Sequence, residues 1–177
     1  PARFLDLIDK DLIPDPVSGA EAMGLLGEIP FVKNKQLTHD QWKEVRHHYF
    51  ASIAFVDEQI GRIMDYLEKT GLADNTAIIF TADHGDMMGD HGFPTKGSWH
   101  YDACIRVPFL LHLPGQTIGN TESRAISNLD IFPTVTALAG VDHNIPVEGE
   151  NLTSENWHER IDAVLIETYG SYRDSTP

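Results

Sequence analysis

The chain has 177 residues, 41% of them hydrophobic, with 27 acidic against 13 basic side chains and a formal net charge of −14. This composition supports a packed core of ordinary domain size and argues against global disorder. It disfavours a nucleic-acid partner, because phosphate contact requires a basic face, and any site for a small anion must concentrate positive charge locally against a repulsive overall field.

One cysteine, Cys104, allows no internal disulfide. No apolar run approaches the ~18 residues of a membrane span. The opening Pro1-Ala2-Arg3-Phe4 has no signal-peptide character and reads like the middle of a domain, so a fragment is expected. The compartment stays open between cytoplasmic and periplasmic or secreted.

A short helix is expected over 3–10, and the rest of 1–37 reads as loop, broken by Pro14, Pro16, Gly19, Gly24, Gly27 and Pro30. The longest helix is predicted over 38–70. Thr38 is a good N-cap, with Gln41 placed for a capping box. Trp42, Val45, Tyr49, Ile53, Val56, Ile60, Ile63 and Leu67 recur at helical steps, and Gly71 is a natural stop. His47 and His48 are adjacent and share no helix face, so they are read as structural.

A buried strand is predicted over 76–81, rich in apolar and β-branched residues. It breaks into Asp83-His84-Gly85-Asp86 and then a glycine-punctuated connection carrying Asp90, His91, Lys96, His100, Asp102 and Arg106. That connection is too long and too charged to serve only as a link. In open α/β sheets, ligands collect outside the carboxyl ends of strands. A second strand is expected over 107–113, with Pro108 near its start. A helix follows over 127–140, with Asp130 as N-cap, Pro133 in the first turn, and Val135 and Leu138 facing inward. A third strand is expected over 163–168. Strands and helices in this order describe α/β layering, although one long and one short helix cannot cover both faces of the sheet.

The run FTADHGDMMGDHGFPTKGSWHYDACIRVPFLL, Phe80 to Leu111, resembles the C-terminal half of the catalytic domain of the sulfatase family, within the alkaline phosphatase superfamily. Those enzymes cleave sulfate esters, and some relatives cleave phosphate or phosphonate esters. The likeness reaches from Pro1 to Leu152. It implies an alkaline-phosphatase-like layered α/β fold with a mixed, mostly parallel sheet. It also implies one incomplete catalytic domain: a loop-rich wrap over 1–37, a core over 38–140, and an irregular region with a strand over 141–177.

By this resemblance Asp83 and His84 correspond to the second pair of metal ligands, and the first pair has no counterpart here. Ca²⁺ is the implied divalent ion. A histidine ligand also suits Mn²⁺ or Zn²⁺, and Mg²⁺ stays open. Lys96 matches the lysine that contacts the sulfate group; a point cation beside a metal suits a tetrahedral anion. His91 and His100 are candidates for lining the cleft, and His100 for giving a proton to the leaving oxygen. Asp86 and Asp90 are candidates for orienting a ligand, and Arg106 for pairing with Asp102 or Asp90.

The family nucleophile is a formylglycine made from Cys or Ser in a Cys/Ser-x-Pro/Ala-x-Arg context. Cys104-Ile105-Arg106-Val107-Pro108 has the wrong order, and no serine fits. Cys104 is therefore read as a small buried residue. The nucleophile is expected from the missing N-terminal half of the domain, and this chain alone is expected to be inactive. The expected activity of the parent is metal-assisted hydrolysis of a sulfate monoester. A phosphonate monoester or phosphodiester hydrolase, or an inactive fold or interaction module, are the alternatives.

Overall fold

The computed structural model describes residues 2–18, 37–97, 100–159 and 162–167. They fall into two units built from interleaved stretches of sequence, Pro1–Asn75 with His84–Val107, and Thr76–Asp83 with Pro108–Pro177. Among the described residues no helix is long and apolar enough to cross a membrane.

The first unit is built on helix α1, His39–Lys69. Its start is the expected capping box: Gln41 N–H donates to Thr38 Oγ1, and Thr38 N–H donates to Gln41 Oε1. Its end is a Schellman turn, in which Leu72 N–H reaches Leu67 O at 2.9 Å and Gly71 N–H reaches Glu68 O at 3.0 Å. Gly71 has φ +69°, which a side chain would resist.

The segment before α1 forms two 3₁₀ turns, Ala2–Leu7 and Lys10–Leu12, instead of the α-helix expected over 3–10. Both pack on α1. Phe4 is buried and meets Phe55 edge to face, with centroids 5.6 Å apart. His47 Nε2 lies 3.0 Å from the carbonyls of both Leu5 and Ile8, where it closes the first turn. Its structural reading stands. His48 Nδ1 sits on the Glu44 carbonyl of its own helix.

The apolar stripe of α1 is less buried than its spacing suggested. Ile53, Val56 and Ile63 are 50%, 49% and 59% exposed. The elements that pack on α1 here are short 3₁₀ turns, and they cover the side that carries His47, Ala51 and Phe55. Each large apolar side chain left outside forgoes about 1.5–3 kcal/mol of burial.

In the second unit, β1 (Ile78–Thr81) pairs antiparallel with β2 (Phe109–His112), Ile78 opposite His112 and Thr81 opposite Phe109. Both strands are shorter than expected. Pro108 has no N–H to give the ladder, so β2 begins just after it. The described sheet has two strands, paired antiparallel, and no parallel pair of the mixed, mostly parallel sheet implied by the resemblance lies among the described residues. Residues 163–167 lie in no strand of that sheet. An apolar run becomes a strand only beside a partner's N–H and C=O groups, which composition does not supply. Position 168, the chain's end and the part of the expected loop that falls on 19–36 lie outside the described residues.

The tetrapeptide Asp102–Ile105 forms α2 in the first unit, and Ile131–Leu138 forms α3 in the second. A 3₁₀ turn, Asn128–Asp130, leads into α3. Asp130 does not cap α3 with its side chain. It faces back instead: Oδ2 accepts from Ser127 N–H and Oδ1 from Glu150 N–H, both at 2.8 Å. Thr134 is fully buried and its hydroxyl accepts from Leu152 N–H at 3.0 Å. The inward positions of α3 are Pro133 and Thr134, whereas Val135 and Leu138 are exposed. Recruiting the 149–152 stretch through these two polar side chains turns that face of the helix inward.

Candidate functional site

The charged connection, 84–107, belongs to the first unit. Its inner side is a small core of Met87, Phe93 and Cys104, with Tyr101, Ala103 and Ile105 packed against it. Gly85 passes directly over α2. Its N–H donates to Cys104 O at 2.7 Å, and a Cβ there would fall 1.9 Å from Ala103 O. The glycine after His84 is thus a requirement of close approach.

The next turn is unusually wound. Met88, Gly89, His91 and Gly92 have φ of 46°, 93°, 53° and 79°. Left-handed backbone at Met88 and His91 costs on the order of 1 kcal/mol each. Gly89 also abuts Trp42 of α1, where a Cβ would come within 2.7 Å of the indole.

Arg46 of α1, itself buried, holds this turn. Its Nε donates to Met88 O at 2.9 Å, Nη1 to Pro14 O at 3.0 Å, and Nη2 to Asp90 Oδ1. The same Asp90 oxygen accepts from Val17 N–H, and His91 N–H donates to Val17 O, each at 2.7 Å. One guanidinium fork therefore ties the helix, residues 14–17 and the turn together. Asp90 serves the loop's architecture. Arg106 pairs with Asp102 at 3.7 Å, with both side chains exposed, and leaves Asp90 to Arg46.

Two of the expected site residues meet on the outer side of this loop. Lys96 Nζ lies 2.7 Å from His84 Nε2, and His84 Nδ1 lies 2.8 Å from Gly85 O. Both side chains sit on exposed residues. His91 is half-buried and stacks on Tyr101, with centroids 4.1 Å apart and planes at 18°. His100 is exposed, just ahead of α2. Asp83 is also exposed and belongs to the second unit, where it follows β1 directly. There the strand's exit is fastened by Asn128: its Nδ2 donates to Ala82 O at 2.9 Å, and Thr81 Oγ1 donates to its Oδ1 at 3.3 Å.

Whether a divalent cation suits these residues turns on His84. A carbonyl only accepts, so Nδ1 carries the proton, and Nε2 holds the lone pair through which a neutral imidazole binds metal. Asp86 Oδ1, two residues on, is buried and has no hydrogen-bond partner among the described residues. Such an oxygen costs about 1–3 kcal/mol unless something donates to it. No group of three or more His, Cys, Asp or Glu side chains converges as a ligand set among the described residues. The residues present fit part of a coordination shell and do not complete one.

Cys104 is buried, as expected. Burial pushes its thiol above the ordinary range; the Gly97 N–H opposes that shift, and the Asp86 carboxylate adds to it. A thiol held protonated in an apolar core is a poor nucleophile.

Sequence reasoning did not single out Arg46 or Asn128. Arg46 had a signal: it lies one helical turn after Trp42, on the apolar stripe of α1, where a charge demands partners. Asn128 had none, because its partners are backbone and hydroxyl groups more than forty residues away.

The family model described as Sulfatase matches residues 25–141, more than half of the chain. The chain belongs to the sulfatase family. It is 37% identical over 122 residues to the N-acetylglucosamine-6-O-sulfatase of Bacteroides thetaiotaomicron, covering 68% of this chain and 22% of that protein. It is 36% identical over 164 residues to an arylsulfatase of Clostridium perfringens, covering 86% of this chain and 33% of the relative. Among solved structures, the phosphonate monoester hydrolase of Silicibacter pomeroyi superposes with a TM-score of 0.73 at 27% identity, covering 86% of this chain and 33% of that one. The fold is thus the alkaline-phosphatase-like α/β fold shared by sulfatases and phosphonate hydrolases. This sulfatase chain spans about a third or less of the length of these relatives.

Proposed function

We propose that this chain supplies the cation- and oxyanion-binding part of a sulfatase that hydrolyses a sulfate monoester. The observation that carries the reading is the meeting of Lys96 Nζ and His84 Nε2 at 2.7 Å, on a loop whose shape a buried arginine fixes. Family membership supports the reaction class. The names of the relatives support a sulfated substrate, a sugar sulfate or an aryl sulfate.

In this reading Asp83 and His84 hold a divalent cation, Ca²⁺ by family resemblance. When bound, that ion supplies Lewis-acid stabilisation of the charge that gathers on the sulfate oxygens. Lys96 binds the sulfate as a point cation, which answers the repulsive field of a chain with net charge −14. His100, exposed at the loop's edge, is the residue proposed to protonate the leaving alkoxide. His91 lines the cleft from its stack on Tyr101. The nucleophile is a formylglycine in sequence beyond these residues, because no cysteine or serine here stands in its context. Alone, the 177-residue chain turns nothing over.

The superposition on a phosphonate monoester hydrolase favours a second reading, in which the same residues serve a phosphonate or phosphate diester. The test is turnover of an aryl sulfate and an aryl phosphonate monoester by the gene product that carries this sequence. The sulfatase reading expects the sulfate ester to be preferred and Asp83→Asn to abolish that activity. A preference for the phosphonate ester replaces it with the second reading, and near-normal turnover by Asp83→Asn refutes the ligand assignment.

A further inference from the structure

A neutral His84 has one imidazole lone pair, and two contacts identify the atom that carries it. Its Nδ1 faces the Gly85 carbonyl at 2.8 Å, and its Nε2 faces the Lys96 ammonium at 2.7 Å. A carbonyl can only accept and an ammonium can only donate. Two independent contacts therefore select the same tautomer, with the proton on Nδ1. Gly85 is held in turn by its N–H to Cys104 O and by the backbone of α2 against its Cα, so the carbonyl that fixes the tautomer is itself fixed.

We propose that Lys96 and a divalent cation compete for this lone pair, so that Lys96 guards His84 until the cation displaces it and is thereby released to an anion. The inference rests on the reading of His84 as a ligand and goes beyond it. It assigns Lys96 a second role, as the internal occupant of the ligand atom. Two cationic groups cannot share one lone pair, and an ammonium beside it disfavours a dication by repulsion as well. Filling the cation site and freeing the anion-binding lysine then become one event. A sulfate ester approaching the site without its cation would meet a lysine already engaged.

The test uses the gene product that carries this sequence and the ring nitrogens of His84, followed by long-range ¹H–¹⁵N correlation and assigned by the signal lost in His84→Gln. Without metal, the proton is expected on Nδ1; a proton on Nε2 overturns the proposal. Zn²⁺ alone is then titrated in, and the midpoint is read from the His84 Nε2 shift itself, which ignores ions held by the many surface carboxylates. Lys96→Met is expected to bind roughly tenfold tighter than the wild type, the equivalent of one hydrogen bond to a charged group. Lys96→Arg keeps a cationic donor and is expected to stay near the wild type. Both lysine side-chain changes are at an exposed position, so the fold is expected to persist. Equal or weaker Zn²⁺ binding by Lys96→Met, with His84 still responding, overturns the competition and leaves the ligand reading intact. A His84 Nε2 that responds to Zn²⁺ in neither protein overturns both.

Discussion

The two units are fastened by opposite means. In the first, a buried cation reaches outward: Arg46 donates to two backbone carbonyls and to the Asp90 carboxylate. In the second, a buried anion draws inward: Asp130 accepts from the backbone amides of Ser127 and Glu150. The difference follows from what each segment leaves unsatisfied. Arg46 meets the carbonyls of Met88 and Pro14, and Asp130 meets the amides of Ser127 and Glu150, so each hub is of the kind its backbone partners require. A donor hub holds the loop that carries His84 and Lys96, and an acceptor hub holds the frame from which Asp83 emerges.

Removing either hub should loosen its own unit and spare the other, and hydrogen exchange resolved by peptide reads this directly. Arg46→Ala should cost about 3–5 kcal/mol, because the Met88 and Pro14 carbonyls lose that donor and the half-buried Asp90 carboxylate keeps only the Val17 N–H. Exchange should rise over 84–93 and not over 127–138. Arg46→Lys should recover little, since an ammonium cannot span three acceptors with a planar fork. Equal loosening of both units would break the comparison.

Asp130→Ala should cost about 2–4 kcal/mol by orphaning two amides in the second unit. Asp130→Asn should cost less, because its remaining carbonyl oxygen still accepts. Chemical denaturation gives both values.

Gly85→Ala sharpens the comparison at one atom. With Ala103 O only 1.9 Å from the new Cβ, the loop must shift, at about 1–3 kcal/mol of strain. The displaced Gly85 carbonyl should also release the His84 tautomer, visible in the same ring-nitrogen spectrum.

The smallest effect is expected where residues 2–18 meet α1. Hydrogen bonds that His39 donates to Asp15 and then to Asp40 raise the pKa of this exposed imidazole, so this contribution is complete below the ordinary value of 6.5 and fades as pH rises through the raised value. The Lys10 partner lowers the pKa of Glu44, so that contribution is complete above the ordinary 4.5 and is lost as pH falls through the lowered value. Docking of the segment should be firmest between about pH 4.5 and 6.5. His39→Gln should flatten the alkaline side of a melting-temperature profile and leave the acid side unchanged.

These features differ in how far the sequence revealed them. The capping box at Thr38, the Gly71 stop and the break after β1 are local rules, visible in consecutive letters. The same holds for the motif from Asp83 to Lys96, which carried the family resemblance. Asp130 illustrates a partial reading: Asp before a helix looks like a cap, and only the distant Glu150 amide shows what its carboxylate does. The exposed Ile53, Val56 and Ile63 show that periodicity marks an apolar face without saying what covers it. Residues 163–167 likewise have strand composition and lie in no strand of the described sheet. Arg46 was legible in principle, as a charge on an apolar stripe, but its three acceptors lie outside α1.

The central claim is that this loop binds an oxyanion through a cation and Lys96 together. Isothermal titration of inorganic sulfate into the gene product, with and without Ca²⁺, tests it most directly. The account predicts that sulfate binding requires Ca²⁺ and falls at least tenfold in Lys96→Met, the loss of one charged hydrogen bond. Sulfate binding that is unchanged by chelation and by Lys96→Met would contradict it.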